Sequence, residues 1–142
     1  MKQFCHVDKL FEEWPKRVDP KQTSLTPASN TLFAKGGGLL LNTGKRELFH
    51  RLVMKGLFIA GRSRPDITPT ITVLSGRVRE PNEDDWGKLK RLVKYLNGTR
   101  RLHLTLHYDG LSVARWHVDA SFAVDPDFCS HSGGTVLLSP EG

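Results

Sequence analysis

The sequence is short of cysteine and of long apolar runs. Its two cysteines, Cys5 and Cys129, stand far apart in unlike surroundings, so there is no disulfide framework and no CxxC pair for a zinc module. No stretch approaches the roughly 20 apolar residues that a membrane-crossing helix needs. The start, MKQFCHVDKLF, has no apolar signal core and acidic residues follow closely, so nothing in it directs secretion. These absences lead to an expectation of a cytoplasmic or nuclear chain with no membrane partner. Apolar residues make up only 38% of the 142, which suits one ordinary domain or two small ones with a modest core.

Positive charge is what the chain has in excess. The formal net charge is +6, and a polyanion is a plausible partner for such a surface. The excess is concentrated. Residues 45–101 hold fourteen Lys or Arg against six Asp or Glu, a net of +8. Thirteen glycines and eight prolines indicate much loop.

Residues 3–14 place Phe4, Val7, Leu10, Phe11 and Trp14 at helical spacing, and Pro15 closes that helix. Residues 15–44 show no period, and TSLTPASN and AKGGG are turn-rich. So long a connector either wraps across a surface or is partly disordered. A second helix is expected over 45–60, with Phe49, Leu52, Val53, Gly56, Leu57 and Ala60 on one stripe and Thr43 as its cap. Gly56 and Gly61 either allow close helix contact or end the helix. RSRPDITPTITVLSG continues with Ile67, Ile71 and Leu74 on one face, Asp66 near the start, and Pro69 in the first turn.

PNEDDWGKLKRLVKYLNG is the firmest helix. Asn82 caps it, Glu83, Asp84 and Asp85 fill the first turn, and Asn97-Gly98 ends it. Trp86, Leu89, Val93 and Leu96 form its apolar stripe. After Gly98 the period becomes two. RLHLTLHY, then SVARWHVDASF, then GGTVLL read as strands, with Asp109-Gly110 as a turn. In the second of these, Ala114, Trp116, Val118 and Ala120 share one face, and Arg115, His117 and Asp119 the other.

The order of four segments carries a resemblance. HRLVMKGLFIAGRSRPDI (50–67), WGKLKRLVKYLNGT (86–99), WHVDASFA (116–123) and SHSGGTVLL (130–138) together resemble the copia-type retrotransposon polyprotein. The likeness is to the end of its reverse transcriptase and the start of its ribonuclease H. The early segment QFCHVDKLFEEW…TPAS resembles the piece after the polymerase palm.

The resemblance implies an α+β chain in three parts. Residues 1–44 become a post-palm helix and long loop, and 45–99 a small helical thumb/connection-like segment. Residues 100–142 become the first antiparallel strands of an incomplete ribonuclease H-like sheet. It makes Asp119 the first carboxylate of a nuclease site, and gives Arg64, Pro65 and Asp66 of the RPD motif a structural role. Lys90, Arg91, Tyr95 and Leu96 fall on the helix before the linker, Gly98 and Thr99 on the linker start, and Ser132 and Gly133 on a serine–glycine pair before the next strand.

Three positions depart from the family pattern. The second Asp is Ser121, a glycine is Val124, and a small hydroxyl residue is His131.

Ribonuclease H cleavage uses two divalent metals held by about four carboxylates. Mg2+ is therefore expected for the intact parent, and no cofactor for this chain. Asp119 is a metal ligand only with partners that the chain does not supply, so no catalysis is expected of it alone. The basic helical part is the candidate contact to an RNA–DNA or DNA duplex, with Lys88, Lys90, Arg91 and Lys94 as the chosen residues. The remainder of the polyprotein is the other expected partner. Trp14, Trp86 and Trp116 are read as core anchors. LLLNTGKRE is not a phosphate loop, since Leu39 and Arg46 break the GxxxxGK[S/T] pattern. His117, Cys129 and His131 make a poor zinc set. Two alternatives stand beside this reading: a stand-alone or domesticated nucleic-acid-binding protein, and an independent small metal-dependent hydrolase.

Overall fold

A computed structural model describes residues 4–15, 19–34, 36–102, 113–121 and 131–139. The chain divides into two compact units, Met1–Leu104 and Thr105–Gly142. Among the described residues it is an α+β protein with helices in the first unit and a two-stranded antiparallel sheet in the second.

The first unit is built from α1 (Phe4–Glu13), α2 (Thr43–Arg62), a 3-10 turn (Pro65–Ile67), α3 (Thr68–Ser75) and α4 (Glu83–Gly98). Asn42, not Thr43, caps α2. Its side-chain oxygen accepts from the Lys45 amide at 2.9 Å, so the helix starts earlier than the apolar stripe does. The RPDI segment is two elements. Pro65 opens the 3-10 turn, and Pro69 lies in the first turn of α3, where its missing donor costs nothing. Asn82 caps α4 as expected, and Asp85 completes the exchange. The Asp85 amide donates to the Asn82 side chain at 2.9 Å, and the Asn82 amide donates to the Asp85 carboxylate at 3.1 Å.

One core gathers all four helices. Val7 and Leu10 come from α1, Phe49, Leu52, Val53 and Ile59 from α2, Ile71 and Leu74 from α3, and Leu89, Leu92, Val93 and Leu96 from α4. Gly56 is the point of closest approach. A Cβ there would lie 2.5 Å from Ile71 Cδ1, so any larger residue would force the buried Ile71 side chain to move. Gly61 has open space beside it and does not end the helix. Trp14 and Trp86 stack against the core with ring centroids 5.1 Å apart.

The long connector is a strap laid antiparallel along α4. At the helix C-terminal end, Asn97 donates to the carbonyls of Asp19 and Gln22. Arg91 donates to Thr26, Lys88 to the Ala34 carbonyl, and Asn82 to the Gly36 carbonyl. Leu40 then bridges to Asn82, and the Leu41 amide donates to the Pro81 carbonyl. The strap has few apolar residues to bury, so the polar side chains of α4 hold its backbone.

In the second unit, β1 (Val113–Ser121) pairs with β2 (His131–Ser139) in an antiparallel ladder that sets Trp116 opposite Val136 and Asp119 opposite Gly133. Most of the strand expected over RLHLTLHY, and the turn at Asp109-Gly110, lie outside the described residues.

Candidate nucleic-acid interface and the motif aspartates

The RPD motif is the most densely bonded polar site in the helical unit. Arg64 is 2% exposed. Its Nε and Nη2 edge holds the Asp66 carboxylate side-on at 2.9 and 2.7 Å. Its remaining donors reach Thr99, with Nη1 to the carbonyl at 2.9 Å and Nη2 to the hydroxyl at 2.7 Å. The Tyr95 hydroxyl donates to Asp66 at 2.7 Å, and the Thr99 hydroxyl donates to the Tyr95 carbonyl at 2.7 Å. A buried guanidinium is costly unless its donors are used. Here they tie the turn before α3 to the C-terminal end of α4.

The charges respond to that packing. Burial pushes the Asp66 carboxyl up, but the hydrogen bonds from Arg64 and Tyr95 outweigh it and hold the group below the usual carboxylate range. Burial also opposes the charge on Arg64, and the Asp66 carboxylate more than restores it. Burial and Asp66 together push the Tyr95 hydroxyl up. Arg64, Asp66, Tyr95 and Thr99 each fall on a motif visible in the sequence, but nothing in their spacing reveals that they meet.

The four cations chosen on α4 have different surroundings. Lys90 is exposed, and Arg91 and Lys94 are half-buried. Lys88 is a correction. It is 7% exposed, its ammonium lies 2.8 Å from Asp84, and it donates to the Ala34 carbonyl at 2.7 Å. A phosphate cannot reach it while the strap is in place. The helical wheel carried the signal, because Lys88 stands one turn from both Asp85 and Leu92 on the buried side. Arg91 donates to the Thr26 hydroxyl at 2.9 Å, while its Nε is buried without a hydrogen-bond partner. Arg46, Arg51 and Arg62 on α2 add exposed positive charge to the same unit.

Trp86 is half-buried against the core, with the Lys45 ammonium 5.0 Å from its ring centroid. Trp116 is the second correction, since it is 71% exposed and Val118 76%. The described part of that unit is a single ladder, and no described layer of the unit covers its apolar face. Asp119 is also exposed. Asp119 is the only Asp or Glu on β1 and β2, and no group of three His, Cys, Asp or Glu side chains clusters among the described residues. One carboxylate does not fit a magnesium pair, which takes its ligands from several oxygens. His117 and His131 are four ladder positions apart, about 13 Å along the strands, and Cys129 lies outside the described residues. Among the described residues, no helix is long and apolar enough to cross a membrane.

Set beside known proteins, a chain with a basic helical unit and a strand pair shows a sequence similarity to a transposon protein. The relative is a Saccharomyces cerevisiae protein named for the transposon Ty5-1, 30% identical over 90 residues. The match covers 63% of this chain and 29% of that relative, so the chain spans under a third of the protein it resembles. No family model and no solved structure matches the chain.

Proposed function

We propose that the chain is a retrotransposon-derived segment, corresponding to the thumb/connection end of a copia-type reverse transcriptase and the first strands of its ribonuclease H. In this reading it binds an RNA–DNA or DNA duplex and is not catalytic by itself. The observation that carries the proposal is the 30% identity over 90 residues to a transposon protein. The order of the RPDI, LVKYLNGT and WHVDASFA segments agrees with it.

The duplex contact rests on Lys90, Arg91 and Lys94, together with the exposed arginines of α2. Lys88 is not among them. Such contacts neutralise phosphates and release counterions, so they give affinity that falls with salt and is indifferent to sequence. Asp119 contributes one carboxylate and waits on ligands from the rest of a polyprotein. Mg2+ belongs to that larger protein.

A labelled RNA–DNA hybrid tests both halves. Binding in low salt that weakens as salt rises, with no cleavage when magnesium is added, is the expected outcome. Absence of binding removes the contact role. Cleavage by the purified chain, lost in Asp119→Asn, removes the non-catalytic reading and favours a small hydrolase.

A further inference from the structure

Thr26 and Pro27 form a threonine–proline pair that the proposed function leaves unused. Residues 22–28 form neither helix nor strand. Leu25 and Thr26 face solvent, with Leu25 98% exposed, and Ser24 and Pro27 beside them are half-buried. A residue before proline favours extended backbone, the shape in which a kinase groove takes a substrate. The other threonine–proline pair of this unit lacks that freedom. Thr68 has φ −53° and ψ −49°, and Pro69 lies in the first turn of α3, so that pair is held helical.

The second observation is Arg91. Its Nη2 donates to Thr26 Oγ at 2.9 Å, and the adjacent Nε is buried with no partner. Nε and Nη2 make one edge of the guanidinium, the edge with which Arg64 holds the Asp66 carboxylate side-on. Arg91 therefore presents half of a bidentate anion site at the threonine hydroxyl, with its other donor unspent. Thr26 Oγ donates in turn to the Ala28 carbonyl at 2.8 Å, which fixes the hydroxyl beside that edge.

We propose that Thr26 is a phosphoacceptor for a proline-directed protein kinase and that Arg91 receives the phosphate, locking the strap onto α4. The Thr26 oxygen attacks the γ-phosphorus of ATP, the new O–P bond forms as the bond to the bridging β–γ oxygen breaks, and ADP leaves. The hydroxyl proton passes to the kinase. The product carries nearly two negative charges and three acceptor oxygens next to Nε and Nη2 of Arg91, with Lys90 and Lys94 on the same helix. This inference does not depend on nucleic-acid binding.

The test incubates the full 142-residue chain with ATP and a purified proline-directed kinase, then maps phosphopeptides by mass spectrometry. Phosphate on Thr26, and none on that peptide in Thr26→Ala, is expected. A full chain left unmodified at Thr26 overturns the proposal. The modified chain is then melted. The midpoint rises by about 4 °C, the shift that a unit of roughly 100 residues shows for one charge-assisted contact. In Arg91→Lys, which keeps the charge and loses the fork, the rise is at most half of that, while Lys90→Gln retains it. An equal rise in wild type and Arg91→Lys, or no rise in either, overturns the role of Arg91.

Discussion

The helical unit and the strand pair treat their motif aspartates in opposite ways. Asp66 receives two hydrogen bonds from a buried arginine and a third from Tyr95. Asp119 stands exposed on β1 across the ladder from Gly133. The same contrast holds for the tryptophans, with Trp86 packed on a core and Trp116 largely exposed. Asp66 is partly exposed, but it is the counter-ion of a buried guanidinium and so part of what holds the unit together, whereas an exposed carboxylate without such a partner can be changed at little cost. Asp66 is thus tied into the packing of its unit, and Asp119 is expected to add little to the stability of the strand pair.

Removing the arginine breaks that contrast most sharply. Arg64→Leu leaves Asp66 without its counter-charge and the Thr99 carbonyl and hydroxyl without their donor, and it is expected to cost about 3–5 kcal/mol in urea unfolding, the range for breaking a buried ion pair. Gly56→Val forces side-chain carbons against Ile71 and is expected to cost about 1–3 kcal/mol in the same assay. Acid acts more gently. Because the folded carboxyl of Asp66 titrates below its ordinary value of 3.8, its contribution is present above that pH and is lost as pH falls through the lower, folded value. Thermal melts below pH 4 should fall more steeply in wild type than in Asp66→Asn. Asp119→Asn is the smallest change, within about 0.5 kcal/mol of wild type. A loss as large as that of Arg64→Leu would mean that Asp119 is structural too.

Local chemistry made α4 legible in sequence. Its cap, its acidic first turn and its apolar stripe all lie within 16 residues. The second helix was legible in its core positions but not at its start, because Asn42 precedes the apolar stripe and had no periodic signal to mark it. The strap was legible only as a connector. What fixes it is a set of side-chain to backbone bonds across separations of 46 to 78 residues, between Asn82 and Gly36 at one end and Asn97 and Asp19 at the other. Such bonds leave no period in a sequence. The same bonds explain why Lys88 was misread. Lysine is usually exposed, and this one is covered by the strap. Trp116 was expected in a core because aromatic residues on an alternating strand usually face one, and that inference presumes a second layer that the described strands do not have.

The proposal to be tested is that the helical unit contacts a nucleic-acid duplex through Lys90 and its neighbours on α4. Its most direct test is the salt dependence of hybrid binding, measured by fluorescence anisotropy for wild type and for Lys90→Gln/Lys94→Gln. Each lost phosphate contact should reduce the slope of log Kobs against log salt by about 1. The account predicts a slope shallower by about 2 in the double variant, with unchanged thermal stability. An identical slope in the two chains would contradict it.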